Sequence, residues 1–461
     1  MKPNIPSENA VGLCCAQPNL HDWLNYLESL HPKTIALGLE RVTQVKQRLN
    51  LNPDFPIIVV GGTNGKGSVC AMLEAILHAA GYRVGCYTSP HLLRYNERVR
   101  VAKQQASDAE LCASFEQIEQ ARTQITQDFI DSSPTPTLPR WERGQSPEIP
   151  LTYFEFGTLA AMQLFIAHKA EVAILEVGLG GRLDAVNVFD GDCAVVTSVA
   201  IDHTDYLGDT REEIAFEKAG IFRKDHVAIC ADSDVPQAIR EHARQIGVEL
   251  WCIGSEFGFT PHQGQWDFRS KMGARNALPY PALRGAFQLH NASAALAALD
   301  VLKGCLPVSM DAVRRGLIEV QLAGRFQVVP GRPQLILDVA HNPHAAHSLA
   351  QNLAALPPCP HTFAVFAMLK DKDMAGVAAE LDPFIDTWLV AGIAAPRGAT
   401  AVELVQVLQN VGVRGTIQTF HNVSEALRYA CNAAGENDRI AAFGSFYTVA
   451  EAMAARGLHI T

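Results

Sequence analysis

The chain has 461 residues, 48% of them hydrophobic and 19% charged, a composition typical of a soluble globular protein with two domains. Its formal net charge of −10 argues against nucleic acid as the main partner. We find neither a secretory signal nor an apolar run long enough to cross a bilayer, so we expect no membrane attachment. The eleven cysteines form no C-x-x-C pair, and their scatter predicts reduced thiols in a cytoplasmic protein.

The first informative segment is a glycine-rich run that follows a short apolar stretch. Residues 57–60 predict a buried strand, residues 69–80 predict a helix, and between them lies Gly61-Gly62-Thr63-Asn64-Gly65-Lys66-Gly67-Ser68. This order is the layout of a loop that cradles phosphate groups, because glycines let backbone N–H groups face an anion and the helix N-terminus adds partial positive charge. The spacing is unusual, since Gly67 separates Lys66 from Ser68. A simple turn between a strand and a helix is the alternative.

Apolar runs and amphipathic segments alternate after this loop, which predicts a parallel sheet covered by helices on both faces. The predicted strands are residues 84–88, 172–177, 194–198, 227–230 and 250–253, and the predicted helices are residues 108–127 and 154–169. Residues 132–150 are rich in Pro, Ser and Thr and predict an extended surface insertion. Residues 257–269 alternate aromatic and polar side chains and predict a small antiparallel piece.

A second strand–helix series begins near Gln334 and contains no glycine-rich phosphate loop. Its predicted strands are residues 335–338, 363–366, 388–390 and 440–443, and its predicted helices begin near Pro343, Asp373, Ala401 and Val423. We therefore predict an α/β protein of two domains. Residues 1–322 would form a P-loop, parallel-sheet ATP-binding domain with the insertion at about 130–150, and residues 323–461 a smaller Rossmann-like α/β domain.

Polar residues follow three of the predicted strands, at the edge where parallel sheets bind their ligands. Ser89 could supply a hydroxyl to Mg²⁺, although a Ser-Pro after a strand, taken alone, is more often just a turn. Glu176 could supply a carboxylate, which is a preferred ligand of Mg²⁺, or it could pair with Arg182. His203 is the third candidate, and a structural histidine is its alternative.

Further candidates are weaker when each is taken alone. Lys218 ends a helical segment and could be an ordinary lysine near a helix C-terminus. Arg325 lies just past the predicted boundary, and its planar fork suits an ATP phosphate. Asp338 could bind a ribose hydroxyl, but its motif with His341 and Asn342 is equally well a helix N-cap and turn.

Taken together and in order, these motifs resemble those of the folylpolyglutamate synthases and dihydrofolate synthases, members of the Mur ligase superfamily, from about Leu30 to Val449. The motifs that carry the resemblance are Gly62-Thr63-Asn64-Gly65-Lys66-Gly67-Ser68, Thr88-Ser89-Pro90-His91-Leu92, Glu176-Val177-Gly178-Leu179-Gly180-Gly181-Arg182-Leu183-Asp184-Ala185, Asp202-His203, Glu217-Lys218-Ala219-Gly220-Ile221, Gly324-Arg325-Phe326 and Asp338-Val339-Ala340-His341-Asn342-Pro343. The chain departs from the family pattern at Ala323, where proline is usual, and at Phe287, where histidine is usual.

The resemblance implies a role for each matching residue. The residues that would hold ATP are Thr63, Asn64, Gly65, Lys66, Gly67, Ser68, Asn291, Arg325 and Asp338. The residues that would hold two Mg²⁺ ions are Ser89, Glu176, His203 and, as a carbamate, Lys218, and the catalytic residues would be Lys66, Lys218 and His341. The residues that would contact the pterin-bearing substrate are Thr34, Ile35, Ala36, Leu37, Thr152, Tyr153, Phe154, Glu155, Leu183, Asp184 and Ala185. No organic redox cofactor is implied.

The resemblance also implies an activity, namely an ATP-dependent carboxylate–amine ligase that forms an acyl phosphate. Such an enzyme would add L-glutamate to 7,8-dihydropteroate and to reduced folates, as a cytoplasmic monomer with no nucleic-acid partner. Residues 152–155 and 443–449 resemble the bifunctional branch of the family. A single-function folylpolyglutamate synthase, a Mur-type ligase of cell-wall peptides and a nucleotide switch without turnover are the alternatives.

Overall fold

The computed structural model describes residues 18–31, 36–123, 148–285 and 287–459. The helices, numbered in chain order, are α1 Leu20–Leu30, α2 Glu40–Arg48, α3 Lys66–Ala79, α4 Asp108–Thr123, α5 Tyr153–Ala167, α6 Thr204–Leu207, α7 Arg211–Ala219, α8 Gln237–Ile246, α9 Gln288–Val301, α10 Met310–Glu319, α11 Pro343–Ala354, α12 Met374–Leu381, α13 Ala401–Val411, α14 Val423–Ala433 and α15 Phe446–Ala455. Short 3₁₀ turns occur at Tyr95–Arg98, Ala185–Val188 and Asp382–Phe384.

The strands, also in chain order, are β1 Ile57–Gly61, β2 Val84–Tyr87, β3 Val99–Val101, β4 Gln104–Gln105, β5 Val172–Glu176, β6 Cys193–Val196, β7 Val227–Cys230, β8 Glu249–Cys252, β9 Phe257–Pro261, β10 Gln265–Ser270, β11 Gly273–Pro279, β12 Gln327–Val329, β13 Gln334–Asp338, β14 Thr362–Phe366, β15 Thr387–Ala391, β16 Thr416–Phe420 and β17 Arg439–Phe443. The chain divides into two compact units, Met1–Pro53 with Ala106–Ala167, and Asp54–Gln105 with His168–Thr461.

The first unit is helical in its described part. Helices α1, α4 and α5 pack on one another, and α2 packs on α4 and α5. Aromatic rings join three of these helices, since the ring of Phe115 lies 6.0 Å from that of Trp23 and 5.8 Å from that of Phe156. Asn19 and Asp22 form a capping box that begins α1. This packing of α2 and α5 holds in place the segment before α2 and the segment that begins α5.

The second unit contains an eight-stranded sheet in the order β4-β3-β2-β5-β1-β6-β7-β8. Its pairings are parallel from β2 to β8, and only the β2–β3 and β3–β4 pairings are antiparallel. Strand β1 is buried along its whole length. Its residues Ile58 and Val60 share a buried cluster with Leu73 of α3 and Leu296 of α9. The predicted parallel sheet is confirmed, with strand bounds that differ by one or two residues.

A second sheet in the same unit has the order β12-β13-β17-β14-β15-β16 and is parallel except for the β12–β13 pairing. Alternate residues of one strand enter different hydrophobic clusters. Ile336 lies in a cluster with Leu349 of α11, whereas Leu335 lies in another with Leu427 of α14. Helices thus cover both faces, as expected of the predicted Rossmann-like region. Strands β12 and β16 were not predicted, because both are short or partly exposed.

Strands β9, β10 and β11 form a third, antiparallel sheet in the order β11-β10-β9. The antiparallel piece predicted for residues 257–269 is therefore confirmed and extends to Pro279. Most of the predicted insertion at residues 132–150 lies outside the described residues. The second sheet begins at Gln327, but the division into residues 1–322 and 323–461 stays a prediction. In the described ranges we find no helix that is both long and apolar enough to cross a membrane.

Close packing of α10 on α3 predicts a steric limit at Gly316. A Cβ built at Gly316 would lie 2.5 Å from Cα of Ile76, whereas one at Gly304 would meet nothing within 4 Å. We expect Gly316→Ala to lower the free energy of unfolding by about 1–3 kcal/mol through overpacking, despite the higher helix propensity of alanine. Gly304→Ala, the matched control, should change it by less than about 0.5 kcal/mol. Urea unfolding of both variants measures this, and equal stabilities would contradict the packing argument.

Candidate active site

The phosphate loop connects β1 to α3, as predicted. Gly62 has a φ of 136°, and a Cβ at this position would overlap Oγ1 of Thr197, so only glycine fits. The loop is tied to the end of β6, because the backbone N–H of Thr63 donates to the Ser198 carbonyl at 2.7 Å and that of Asn64 donates to Ser198 Oγ at 3.1 Å. The N–H groups of the first turn of α3 precede the first intrahelical bond and can face an anion.

Lys66 lies at the start of α3 and folds back over the loop. Its ammonium donates to the carbonyl oxygens of Gly62 at 3.1 Å and Thr63 at 3.2 Å. Burial lowers the pKa of Lys66, and the nearby Glu176 carboxylate acts in the opposite direction. The loop thus holds a desolvated cation where the outer phosphates of a nucleotide would lie.

Glu176 ends β5 beside the phosphate loop, because Glu176 pairs in register with Val60 of β1. Its Oε2 accepts a hydrogen bond from the backbone N–H of Ser89 at 3.1 Å. Burial raises the pKa of Glu176, whereas Lys66 lowers it. The alternative pairing of Glu176 with Arg182 is wrong, since the Arg182 guanidinium binds Glu217 at 2.8 Å.

His203 lies at the same edge of the sheet, after β6. Burial lowers its pKa to about 4, so the imidazole is neutral near pH 7. Its Nε2 lies 3.2 Å from the ammonium of Lys372, which also contacts Asp202 Oδ1 at 2.7 Å. Burial would raise the pKa of Asp202, but His203 and Lys372 hold it well below its usual range. Lys372 was missed, although it follows β14 and the strand-end rule could have found it.

Lys218 lies in the last turn of α7 with a buried side chain. Burial and the charge of Lys66 together lower its pKa to about 7, against the opposing effects of Asp202 and Asp184. Much of the Lys218 amine is therefore neutral at physiological pH. A neutral amine is the form that can react with CO₂ to give a carbamate.

Arg325, Asp338 and His341 come from the part of the unit that holds the second sheet. Asp338 ends β13, and its two oxygens accept from the backbone N–H groups of Phe326 at 2.7 Å and Ala340 at 2.8 Å. The Arg325 guanidinium lies over the ring of Phe446, 5.4 Å from its centroid. His341 hydrogen-bonds through Nδ1 to the carbonyl of Val339 at 2.8 Å, and burial lowers its pKa to about 4.

The helix N-cap that the sequence left open at this motif is confirmed. Asn342 precedes α11, and its Oδ1 accepts from the backbone N–H of Ala345 at 2.9 Å. The N-cap does not exclude a role at the cavity, because His341 next to it faces the same space as Lys66.

Two cavities bring most of the predicted residues together. The first, of about 390 Å³, is lined among others by Thr63, Asn64, Gly65, Lys66, Gly67, Ser89, Glu176, His203, Lys218, Arg325 and His341. The second, of about 260 Å³, is lined among others by Asn64, Gly65, Ser68, Asn291, Arg325 and Asp338. Asn64, Gly65 and Arg325 line both. The sequence missed Arg397 and Lys372, which line the first cavity, and His344, which lines the second.

The predicted pterin segments are placed differently. Asp184 is buried, and its carboxylate accepts from the backbone N–H groups of Leu179 at 2.8 Å and Val186 at 3.0 Å. Burial raises the pKa of Asp184 to about 7, although these hydrogen bonds lower it. Asp184 thus supports residues 178–180, which line the first cavity. For Leu183 and Ala185 a substrate contact stays a prediction.

Within the helical unit, one arginine ties the other two pterin segments together. Arg41 binds Glu155 Oε1 at 3.0 Å and the carbonyl of Ala36 at 2.8 Å. Glu155 also forms a capping box with Thr152 at the start of α5, through bonds of 2.7 Å and 3.2 Å. Residues Ala36, Leu37, Tyr153 and Phe154 belong to these segments, while Thr34 and Ile35 lie outside the described residues.

The chemistry of the donor set fits a divalent cation. Ser89, Glu176 and His203 line one cavity and offer a hydroxyl, a buried carboxylate and a neutral imidazole. Within the described ranges, Glu176 has no ion pair with a basic side chain within 4.0 Å. In the same ranges, no cluster of three or more His, Cys, Asp or Glu residues is arranged to hold a metal. A metal site that includes the Ser89 hydroxyl and a carbamate on Lys218 stays a prediction.

Two protein families match this chain. The Mur ligase middle domain matches residues 143–299, and the Mur ligase glutamate ligase domain matches residues 324–446. The fold is that of a Mur ligase, and in this chain the phosphate loop and the region of the second sheet line one cavity.

Individual relatives extend the match over the whole chain. The dihydrofolate synthase/folylpolyglutamate synthase of Escherichia coli strain K12 is 45% identical over 94% of both chains. The structure of E. coli FolC in complex with DHPP and ADP aligns with a TM-score of 0.86 at 44% identity, covering 95% of this chain and 98% of that one. A bifunctional folylpolyglutamate synthase/dihydrofolate synthase with Mn, AMPPNP and L-glutamate bound aligns with a TM-score of 0.83 at 45% identity, covering 96% and 98%. The chain belongs to the dihydrofolate synthase/folylpolyglutamate synthase family.

The lowered pKa of Lys218 predicts carbamate formation at neutral pH. With ¹³C-bicarbonate, we expect a carbamate signal of Lys218 in the ¹³C NMR spectrum, resolved from that of the α-amino group, that grows between about pH 6 and pH 8, whereas exposed lysines of pKa about 10.4 react little. The growth follows from the sign of the shift, because raising the pH through 7 releases the ammonium proton. Lys218→Arg should lack the signal. A signal that persists in Lys218→Arg, or none in the unmodified chain, would contradict the prediction.

Proposed function

We propose that this chain is an ATP-dependent ligase that joins L-glutamate to 7,8-dihydropteroate and to reduced folates. One observation carries the proposal: Lys66, Glu176 and Lys218 from around the first sheet line the same cavity as Arg325 and His341. Relatives matched over nearly their whole length are named for both activities, and related structures hold DHPP, adenine nucleotides and L-glutamate.

In this proposal ATP spans both cavities. Its phosphates lie on the first-turn N–H groups of α3 in the first cavity, where Lys66 moves from the loop carbonyl oxygens to the outer phosphates. The nucleoside lies in the second cavity, which Asn291, Arg325 and Asp338 line. The arginine fork can pair with a phosphate, because Arg325 borders both cavities.

Magnesium belongs to the proposal as the ion that accompanies ATP. Ser89, Glu176 and His203 would hold one ion, and a carbamate on Lys218 would hold a second. When bound, magnesium neutralises negative charge on the phosphate oxygens. Carbamylation turns Lys218 from a neutral amine into an anion, which an unmodified lysine cannot become.

The chemistry proceeds in two steps. An oxygen of the substrate carboxylate attacks the γ-phosphorus of ATP, and the bond to the bridging oxygen of ADP breaks, which leaves an acyl phosphate. The glutamate amine then attacks the acyl carbon, loses a proton and expels phosphate to form the amide. Lys66 stabilises the charge that develops on the transferring group. Arg325 and His341 close the cavity over the acyl phosphate, which keeps water away.

Other features of the proposal concern the cell and the partners. All nine cysteines in the described residues are free thiols, as expected in the cytoplasm. We propose a monomer without a nucleic-acid or membrane partner. A ligase of cell-wall peptides is disfavoured, because the match to the folate enzyme of E. coli covers 94% of both chains.

The activity test supplies each acceptor separately with Mg-ATP and L-glutamate. We expect phosphate release with dihydropteroate and with tetrahydrofolate, and a loss of at least about 100-fold in Lys66→Met because transition-state charge is no longer stabilised. Lys224→Met, at an exposed lysine, is the control and should retain activity. Turnover with tetrahydrofolate alone would leave a single-function folylpolyglutamate synthase. No turnover with either acceptor would reject the proposal.

The tether between Arg41 and Glu155 predicts a change confined to the pterin substrate. Arg41→Met removes the bonds to Glu155 and to the Ala36 carbonyl, so we expect KM for dihydropteroate to rise about tenfold or more while KM for ATP stays within about threefold. Arg48→Met is the matched control on the same helix, because Arg48 binds the carbonyl of Ala121 instead. Steady-state kinetics measure both constants. Equal effects of the two substitutions would show that these segments do not bind the pterin.

A further inference from the structure

The side chain of Asn64 in the phosphate loop contacts two residues at the start of α11. Both of its backbone groups are engaged, since the N–H donates to Ser198 Oγ at 3.1 Å and the carbonyl accepts from Thr197 Oγ1 at 2.6 Å. Its Nδ2 lies 3.3 Å from Asn342 Oδ1 and 2.9 Å from His344 Nδ1. The loop and the start of α11 are thus joined directly by side chains.

Both polar atoms of the Asn342 side chain are fully hydrogen-bonded in this arrangement. Its side chain is buried, and its Oδ1 caps α11 through Ala345 while also accepting from Asn64. Its Nδ2 donates to Asp202 Oδ2 at 3.1 Å and to Asn64 Oδ1 at 3.4 Å. Separating α11 from the loop would leave several of these buried groups without partners, which is unfavourable. The contacts therefore favour one position of α11 relative to the loop.

His344 takes part in the contact with Asn64 and also lines the second cavity. Because the amide nitrogen of Asn64 can only donate, His344 Nδ1 must accept, and the ring proton lies on Nε2. Burial lowers the pKa of His344, in agreement with a neutral ring. The ring lies 5.8 Å from that of Phe287, and both residues line the second cavity. A nucleotide in that cavity would therefore contact a residue that is bonded to the phosphate loop.

We infer that Asn64, Asn342 and His344 form a latch that holds His341 and Arg325 over the phosphate loop while the reaction proceeds. These three are positioning residues, because they act through His341, which directly precedes Asn342, and through the placement of the second sheet. The inference rests on the proposed ligase function, and it gives Asn64, one of the residues predicted to hold ATP, a positioning role as well. Opening the latch would leave nucleotide binding intact and would admit water to the acyl phosphate.

The latch predicts a particular split in the kinetics. We expect Asn64→Ala, which removes the contacts to Asn342 and His344, to lower kcat by about tenfold or more, with KM for ATP changed less than about threefold. The ratio of phosphate released to amide formed should rise above one, because water competes for the acyl phosphate. A raised KM for ATP at unchanged kcat and unchanged ratio would overturn the inference and make Asn64 a nucleotide ligand.

A double-mutant cycle tests whether the residues act as a unit. Asn64→Ala combined with His344→Leu should be little worse than the more damaging single change, because either substitution already breaks the same contact. Ser348→Ala is the matched control, since Ser348 lies on α11 and lines the second cavity but bonds to the His344 carbonyl. In the double variant, the fold-changes in kcat from Ser348→Ala and Asn64→Ala should multiply. If the fold-changes in kcat from Asn64→Ala and His344→Leu also multiply in the double variant, the latch is overturned.

Two further measurements separate positioning from misfolding. His344→Gln keeps an acceptor for Asn64 and should retain more coupling of phosphate release to amide formation than His344→Leu. With ADP bound, amide hydrogen exchange in residues 344–348 should be faster in Asn64→Ala than in the unsubstituted chain, with the first sheet unchanged. Unchanged exchange there would reject the latch even if activity falls. If the unsubstituted chain shows no amide formation, the ligase proposal itself fails before any variant is compared.

Discussion

The parallel pairing of β1 with β5 on one side and β6 on the other is the constraint on which the site depends. Val60 pairs with Glu176, and Gly61 pairs with Val196, so a carboxylate and the Thr197–Ser198 hydroxyls lie on either side of the phosphate loop. The hydroxyls anchor the loop through Asn64. Since side chains alternate between faces, a slip of one residue would turn Glu176 to the other face of the sheet. The buried, apolar β1 specifies the register.

Burial then decides the charge state of the groups around the first cavity. It lowers the pKa values of Lys66, Lys218, His203 and His341. Several cationic groups that share a desolvated space repel one another and lose water, so each shift favours the neutral form. A triphosphate with its metal would supply the negative charge that these groups lack. Nucleotide binding should therefore stabilise this region as well as start the chemistry.

In the helical unit, one ion pair connects two segments of the chain. Arg41 and Glu155 lie far apart in the sequence, yet their bond joins the segment before α2 to the start of α5. The Glu155 carboxylate is buried and meets both the Arg41 guanidinium and the N–H of Thr152. A buried charge that lost such a partner would be strongly destabilising, which is why the two segments keep a common geometry.

Local patterns in the sequence were enough to determine the alternation of strands and helices, the phosphate loop and the polar residues at strand ends. These features depend on neighbours within a few residues: apolar runs for β1 and β5, glycines for the loop, and Asn342 before α11. Short or half-exposed strands such as β16 carry too weak a pattern to be found.

Only the tertiary structure decided which of these residues meet. It paired Arg182 with Glu217 instead of Glu176, buried Asp184 beneath a loop, and brought Lys372 to Asp202 and Asn64 to His344. The contacts of Arg182, Lys372 and Asn64 join residues that are tens to hundreds of positions apart, and their partners depend on sheet order and strand register. The sequence by itself determined the parts of the site and its family, whereas packing decided their partners and, through desolvation, their charges.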